Sequence, residues 1–149
     1  MNVTGTIEGI LGAKKRDIFS ISSDATVYDA VALMAERNVG ALLVVDDGRL
    51  VGIVSERDYT RKVMLRGKRS RETKVSEIMS TSLTTVDPSQ SVDECLRFMT
   101  EKRIRHLPVV KEGEICGVIS IGDLVKHVIS VQSATLDHLE RYISGGYAS

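Results

Sequence analysis

The chain repeats itself once, and this internal repeat constrains its fold more than any other feature of the sequence. Residues 44–55 (Val-Val-Asp-Asp-Gly-Arg-Leu-Val-Gly-Ile-Val-Ser) match residues 109–120 (Val-Val-Lys-Glu-Gly-Glu-Ile-Cys-Gly-Val-Ile-Ser) at a spacing of 65 positions. The match continues without a gap over residues 18–63 and 83–128. Two copies are too few for a solenoid. We therefore expect a pseudo-symmetric pair of repeats that share one core.

Each copy predicts the same order of elements, which is strand, helix, strand, strand, helix. Capping boxes (Thr26 with Asp29, and Ser91 with Glu94) mark where the first helix of each copy begins. A short run rich in valine, a turn that contains glycine and a second β-rich run then predict a hairpin. The predicted fold class is therefore α/β (α+β). The strands are predicted at residues 18–21, 41–45 and 50–54 in the first copy and at 83–86, 107–110 and 115–119 in the second.

The repeat and the charge pattern divide the chain into four predicted segments. Residues 7–11 echo residues 75–79 at a spacing of 68, so the first copy has a slightly longer lead-in before its first strand. The basic linker is either an anion-binding loop or a solvated loop. The tail predicts an amphipathic helix that packs on the core or on a partner. The segments are a first domain at residues 6–65, a basic linker at 66–74, a second domain at 75–129 and a C-terminal helical tail at 130–149.

Composition excludes several classes of protein. Twenty basic and twenty acidic side chains cancel among the 149 residues, which argues against a binder of DNA or of membrane surfaces. The longest apolar run, residues 41–45, is far too short to span a bilayer. The N-terminus has no signal-peptide core, so we expect a cytoplasmic protein. Cys95 and Cys116 are expected to be small buried hydrophobic residues.

A second motif is shared by both copies at the end of the hairpin. Glycine, two hydrophobic residues, serine and, three positions later, aspartate occur at residues 52–58 and again at 117–123. We expect Gly52 and Gly117 to omit a side chain so that a ligand can approach the backbone. This motif therefore marks a candidate binding site in each copy.

The serine and the aspartate of the motif have two interpretations. Ser55 and Ser120 lie at predicted helix N-caps, where free backbone N–H groups and the helix dipole attract phosphate. Asp58 and Asp123 can accept hydrogen bonds from both hydroxyls of a ribose. The same spacing is also a variant of the capping box, so a structural role stays open. Both roles can hold at once.

The doubled motif resembles a known family. Each occurrence of the motif follows a hairpin that contains Val-Val. The second repeat also contains the sequence Ile-Arg-His-Leu-Pro-Val-Val at residues 104–110. This pattern resembles a tandem pair of cystathionine-β-synthase (CBS) domains, a Bateman module, over residues 6–128. Residues 56–59 and 141–147 resemble those of stand-alone two-domain regulatory proteins. The resemblance implies two pseudo-symmetric CBS domains, packed as a Bateman module, with two pseudo-equivalent purine nucleotide sites in the cleft between the copies.

The resemblance also implies individual nucleotide contacts. Ser20 and Thr85 line the site entrances, with Thr84 beside Thr85. Arg105, His106 and Arg57 supply the charge that meets phosphate, although His106 can also be a surface histidine that binds no ligand. The first copy has Gly40 and Ala41 at the corresponding positions, so we expect unequal sites, or one ligand that spans the cleft. The predicted contacts are Ser20, Ile21, Ala41, Leu43, Ile53, Ser55, Arg57, Asp58, Thr84, Thr85, Arg105, His106, Pro108, Val118, Ser120 and Asp123.

The predicted function is regulatory. The resemblance implies a sensor that binds an adenosine-bearing nucleotide (AMP, ADP, ATP, NAD(H) or S-adenosylmethionine) and changes its conformation or its affinity for a partner. We expect no enzyme activity and no catalytic cofactor, because His106, His127 and His138 lack metal-ligand spacing and no catalytic triad or phosphate-binding loop occurs.

We also predict a homodimer of CBS pairs and an unknown effector protein. The alternative is an interaction or scaffold protein that acts through its dimer and tail contacts, with vestigial nucleotide pockets. The apolar helix faces expected to pair in the dimer are formed by Val27, Val31, Met34, Val92, Leu96 and Met99.

Overall fold

The computed structural model describes the backbone of residues 5–13 and 18–148 and the side chains of residues 5–12 and 18–140. The predicted segments at 6–65 and 130–149 therefore include residues 14–17 and Ser149, which lie outside the described residues. The mixture of helices and strands confirms the predicted fold class. In chain order the elements are α1 (Ile7–Ala13), β1 (Ser20–Ile21), α2 (Val27–Arg37), β2 (Ala41–Asp46), β3 (Arg49–Ser55), α3 (Glu56–Tyr59), α4 (Val92–Lys102), β4 (His106–Lys111), β5 (Glu114–Ser120) and α5 (Ile121–Ala148).

The chain divides into two compact units. The first unit is residues 17–85, and the second unit combines residues 1–16 with residues 86–149. The segment that precedes each copy is here called its lead-in (residues 7–11 and 75–79). Each lead-in lies in the unit that contains the hairpin of the other copy. The domain bounds predicted from the sequence follow the chain order and stay a prediction.

The hairpins of the two units have the same register. Ala41 pairs with Ser55 in the first unit, and His106 pairs with Ser120 in the second. The register shifts once in each hairpin, at Val44/Val45 and at Val109/Val110. Both turn residues of each hairpin have positive φ, as a type I′ turn requires. These turn residues are Asp47 (51°), Gly48 (75°), Glu112 (51°) and Gly113 (80°).

The strand predicted before the first helix is complete only in the first unit. There β1 runs parallel to β2, and the N–H of Leu43 donates to the carbonyl of Phe19 at 3.3 Å. In the second unit the predicted strand at 83–86 is reduced to one parallel bridge between Val86 and Val109. Pro108 replaces Leu43 in the second copy and has no N–H to donate, so the ladder loses that hydrogen bond.

Each unit has its own hydrophobic core, so the expectation of one shared core is wrong. In each unit one face of the hairpin packs against a helix and the lead-in, which together cover its apolar side chains. The first core contains Val27, Ala30, Met34, Leu42, Val44, Val54, Val63, Val75 and Ile78. The second contains Ile7, Ile10, Leu11, Val86, Val92, Cys95, Met99, Leu107, Val109, Ile119 and Leu124.

The helix faces expected to pair in a dimer lie in these cores instead. Four of the six side chains are at most 2% exposed, and the other two pack against the core of their own unit. The proposed dimer surface is therefore wrong, because the helical period that aligns these residues points them at the hairpin. The dimer itself stays a prediction. The buried side chains are Val27, Met34, Val92 and Met99, and the packed ones are Val31 and Leu96.

The two motif glycines make room for the lead-ins rather than for a ligand. A Cβ on Gly52 would lie 2.8 Å from Sδ of Met79 and 3.0 Å from the carbonyl oxygen of Ser80. A Cβ on Gly117 would lie 2.9 Å from a methyl group of Leu11. The expectation that a ligand approaches these glycines is therefore wrong, because the chain itself occupies that space.

Candidate functional site

In the first unit, most of the predicted contacts lie on one face of the sheet. Successive side chains of a strand alternate between faces, and Leu42, Val44 and Val54 point into the core. The opposite face, here called the outer face, holds the residues between them. The ladder places Ser20 beside Leu43 and Leu43 beside Ile53. The predicted contacts on the outer face of the first unit are Ser20, Ala41, Leu43, Ile53 and Ser55.

The second unit has the same arrangement. Leu107, Val109 and Ile119 point into its core, so the alternate residues of β4 and β5 lie on its outer face. The bridge at Val86 places Thr85 beside Pro108. The predicted contacts on the outer face of the second unit are Thr85, His106, Pro108, Val118 and Ser120.

Three predicted contacts are less accessible than expected. Ile21 pairs with Val44 and packs against the core, so it is not on the outer face. Leu43 is fully buried, and Pro108 is also buried. The half-buried aliphatic side chains of this face, Ile53 and Val118, have surface that a ligand can reach.

At the end of the outer face, Ser55 and Asp58 form a complete capping box in the first unit. The N–H of Ser55 donates to Oδ2 of Asp58 at 2.9 Å, and the N–H of Asp58 donates to Oγ of Ser55 at 3.2 Å. The other carboxylate oxygen of Asp58 pairs with Nζ of Lys62 at 3.2 Å, and Nζ also donates to the carbonyl of Ile78 at 2.8 Å. Sequence reasoning missed Lys62, although its position four residues after an aspartate signals a helical ion pair.

Ser120 and Asp123 form the same reciprocal bonds in the second unit. The N–H of Ser120 donates to Oδ2 of Asp123 at 2.9 Å, and the N–H of Asp123 donates to Oγ of Ser120 at 3.1 Å. The capping role of both serine–aspartate pairs is thus confirmed, and their role toward a ligand stays a prediction. We call each pair, at the junction of strand and helix, the Ser–Asp corner.

The first backbone N–H groups of these helices are already bonded. The N–H of Glu56 donates to the carbonyl of Gly40 at 3.0 Å, and the N–H of Ile121 donates to the carbonyl of Arg105 at 2.8 Å. The N–H of each corner aspartate is also bonded, to its serine. Two of the first three backbone N–H groups of each helix are therefore occupied. The expectation of free N–H groups for phosphate is therefore wrong at those positions, and phosphate charge has to be met by side chains.

The cations predicted to meet phosphate differ between the units. Arg105 is exposed and directly precedes β4, and half-buried His106 begins this strand. Arg57 is exposed on α3 of the first unit. Thr84, which is half-buried, lies two residues before the Val86 bridge. Only the second unit therefore has basic side chains where its hairpin begins.

The two cysteines differ in burial. Burial, with a smaller effect of the Glu94 charge, raises the pKa of the Cys95 thiol to about 11, so this thiol is protonated at neutral pH. Cys116 is only half-buried, so the expectation that both cysteines are buried holds for Cys95 alone.

Among the described residues no group of His, Cys, Asp and Glu is arranged to hold a metal ion, and no helix is long and apolar enough to cross a membrane.

Comparison with known proteins identifies the family. The CBS domain family model matches residues 8–65 and 75–130. The mitochondrial CBS domain-containing protein CBSX3 of Arabidopsis thaliana is 46% identical over 131 residues, which cover 85% of this chain and 64% of that protein. The match therefore spans less than two thirds of the Arabidopsis protein.

Solved structures share the fold. A protein with CBS domains from Burkholderia ambifaria MC40-6 is 53% identical, with a TM-score of 0.83 over 86% of this chain and 96% of that chain. The CBS domain pair of protein MJ0100, solved with 5′-methylthioadenosine and S-adenosyl-L-methionine, is 22% identical, with a TM-score of 0.73 over 82% and 94% of the two chains. With the doubled hairpin and the two Ser–Asp corners, these matches establish that the chain belongs to the CBS domain family and carries two CBS domains in tandem.

Proposed function

We propose that this protein is a regulatory module that binds an adenosine-bearing nucleotide and responds with a change in conformation or in affinity for an effector protein. CBS-pair proteins are regulatory, and stand-alone members are generally non-catalytic. The candidate ligands are AMP, ADP, ATP, NAD(H) and S-adenosylmethionine. A homodimer and a cytoplasmic location belong to the same proposal, although the Arabidopsis relative is mitochondrial by name.

The observation that carries the proposal is the outer face that ends in a Ser–Asp corner in each unit. Ile53 and Val118 offer aliphatic surface against which an adenine ring can pack. The half-buried carboxylates of Asp58 and Asp123 stand at the end of the same face, where ribose hydroxyls can donate to them. Apolar and acidic groups in this order suit a nucleoside.

We place the phosphate end of the ligand at the second unit. Arg105 is exposed and held at the start of a paired strand, whereas the first copy has Gly40 at this position. A guanidinium offers a planar pair of donors to phosphate oxygens. The linker cations are less suited, because Arg71 lies over the ring of Tyr28 at 3.9 Å and Arg69 pairs with Glu72 at 3.7 Å.

The complex of protein MJ0100 supports the chemical class of the ligand. Both compounds bound there contain adenosine. At 22% identity that likeness concerns the fold alone, so the ligand of this chain is proposed from its own residues.

Calorimetry with two variants tests the proposal. Arg105→Ala should weaken the best phosphorylated nucleotide at least about tenfold and leave adenosine affinity unchanged, because only phosphate needs the cation. The matched control neutralises four linker cations (Arg66, Lys68, Arg69 and Arg71) to glutamine and should have a smaller effect. A larger loss in the linker variant would show that phosphate binds outside the proposed site.

The scaffold interpretation is the second candidate function. It is favoured by the capping bonds that already occupy both aspartates and by the Lys62 ion pair on Asp58. A thermal-shift panel of adenine and guanine nucleotides separates the two functions, because a ligand that binds only the folded state raises its melting temperature. If no nucleotide shifts the melting temperature, vestigial pockets and the scaffold function are supported.

A further inference from the structure

Much of the exposed apolar surface of this chain lies on α5. Among the described residues, nine large hydrophobic side chains are exposed, and five of them belong to this helix. Their spacing of four, four, seven and three residues places them along one side of the helix. We call this row the α5 stripe; its members are Ile121 (39% exposed), Val125 (47%), Ile129 (57%), Leu136 (61%) and Leu139 (50%).

The distal part of the α5 stripe has no cover within the described part of the chain. Leu124 is buried and Val128 packs against the core, so the first turns of α5 are anchored in the second unit. From residue 132 to residue 140, by contrast, every side chain is exposed. Short helices without tertiary packing are marginal in water, so this segment needs a partner. The CBS family model ends at residue 130, so the segment lies beyond the shared domain.

We infer that a second copy of this chain covers the distal part of the α5 stripe, with the two α5 helices antiparallel; this inference rests on the homodimer of the proposed function. In such a pair Ile129 of one copy meets Leu139 of the other, and the two-fold axis repeats this contact. Lys126 and Glu140 flank the α5 stripe on its same side, and both are exposed. The antiparallel pairing brings each Lys126 next to the Glu140 of the other copy, so the surface is complementary to itself.

The parallel pairing lacks this complementarity. Residues 126 and 140 of one helix are 14 positions apart, which is about 21 Å along the axis. In a parallel pair, Lys126 of one copy therefore lies about as far from Glu140 of the other copy as from Glu140 of its own helix. A membrane surface suits the α5 stripe poorly, because residues 121–140 carry three acidic side chains and one basic one.

Sedimentation equilibrium of the full chain tests whether a second copy is the occupant. Leu136→Lys/Leu139→Lys should weaken self-association at least about a hundredfold, because it places charges in an apolar interface. The matched control Ser130→Lys/Ala134→Lys adds the same charge on the opposite side of α5 and should change association by less than about threefold. A wild-type chain that stays monomeric, or equal association of both variants, would overturn the inference.

A charge exchange tests the antiparallel orientation. Lys126→Glu and Glu140→Lys should each weaken association about two- to tenfold, because each places like charges together twice in the dimer. The double variant restores opposite charges and should return to the wild-type association constant. Since the two residues are too far apart to interact within one helix, rescue reports only contact between copies. Failure of the double variant to recover would show that the helices do not pair in this orientation.

Discussion

The two units agree in backbone register and differ in how their last helices end. All six residue pairs of one hairpin recur in the other at a spacing of 65, together with the register shift and the turn. The helices α2 and α4 both end on a residue with positive φ, at Asn38 (54°) and Arg103 (53°). In the first unit, however, α3 passes into a π-helical turn that ends at Met64, whereas α5 continues to Ala148.

This difference separates the residues that build the fold from those that distinguish one unit from the other. The positions shared by both copies are core side chains, caps and turn residues. The positions that differ are mostly exposed, such as Arg105 against Gly40 and the segment of α5 beyond residue 131. A duplicated fold thus tolerates divergence where side chains do not pack, and the proposed phosphate contact and copy–copy interface both lie there.

A further difference is the way in which each unit ties its first loop to its hairpin. In the first unit Ser22, Ser23 and Asp46 are joined by hydrogen bonds. In the second unit the corresponding positions hold Asp87 and Lys111, whose charges attract. The acidic group therefore lies in the hairpin of the first unit and in the loop of the second.

The largest expected effect tests the equivalence of the two cores. Met34→Ala and Met99→Ala should each lower the free energy of unfolding by about 2–5 kcal/mol, because both side chains are 2% exposed in matching positions. Chemical denaturation measures this loss. Met64→Ala, at a side chain that is 60% exposed, is the control and should change stability by less than about 0.5 kcal/mol. If the core variants changed association and left stability intact, the helix faces would be interfaces after all.

The next effect concerns the two Ser–Asp corners. Asp123→Ala should weaken nucleotide binding by about 1.5–3 kcal/mol through lost ribose hydrogen bonds, and stability by only about 1 kcal/mol through the lost cap. Asp58→Ala should cost a similar amount of stability and less affinity, because the first unit lacks the Arg105 cation. Calorimetry and thermal melting of both variants measure this. If both variants had a lower melting temperature and unchanged nucleotide affinity, the Ser–Asp corners would act only as helix caps.

A smaller contrast is expected at the motif glycines. Gly52→Ala should destabilise by about 1–3 kcal/mol, because the new methyl group meets Met79 and the backbone of Ser80. Gly117→Ala should cost less than about 1 kcal/mol, because only the end of the Leu11 side chain has to move. Gly122→Ala has ordinary space, 3.6 Å from Ser120, and serves as the control in the same denaturation series. Equal losses at Gly52 and Gly117 would contradict this account of the lead-ins.

The smallest effect is the response of the two loops to acid. Hydrogen bonds from the side chain and backbone of Ser23, and then from Ser22, hold the pKa of Asp46 below its ordinary value. Hydrogen bonds from Ser89, with a smaller contribution from the Lys111 charge, do the same for Asp87. A lowered carboxyl pKa adds stability above the unfolded pKa of about 3.9 and loses it as pH falls through the folded value.

Asp46→Asn and Asp87→Asn should therefore each reduce the loss of stability below about pH 4. Nuclear magnetic resonance titration at low and high salt measures both carboxyl groups. The pKa of Asp87 should rise with salt more than that of Asp46, because salt screens the Lys111 charge. Equal salt responses would show that Lys111 does not contribute.

Local patterns in the sequence predicted much of the fold and part of the candidate site. The predicted N-caps Thr26 and Ser91 begin α2 and α4, and the glycine turns form the hairpins, because caps and turns depend on residues a few positions apart. The hairpin strands, by contrast, are apolar runs without alternation, so the two faces of the sheet could not be assigned from the sequence. The family resemblance was readable from the doubled motif.

Only the tertiary structure decided which residues fill the space beside the repeats. The exchange of lead-ins, which brings Met79 to Gly52 and Leu11 to Gly117, joins residues 27 and 106 positions apart. No local pattern encodes such a contact, because it depends on which apolar surface remains uncovered once the hairpin and helix have formed. For the same reason, the sequence determined that α2, α4 and α5 are amphipathic. Packing within one copy decided that α2 and α4 bury their apolar faces and that the α5 stripe is left uncovered.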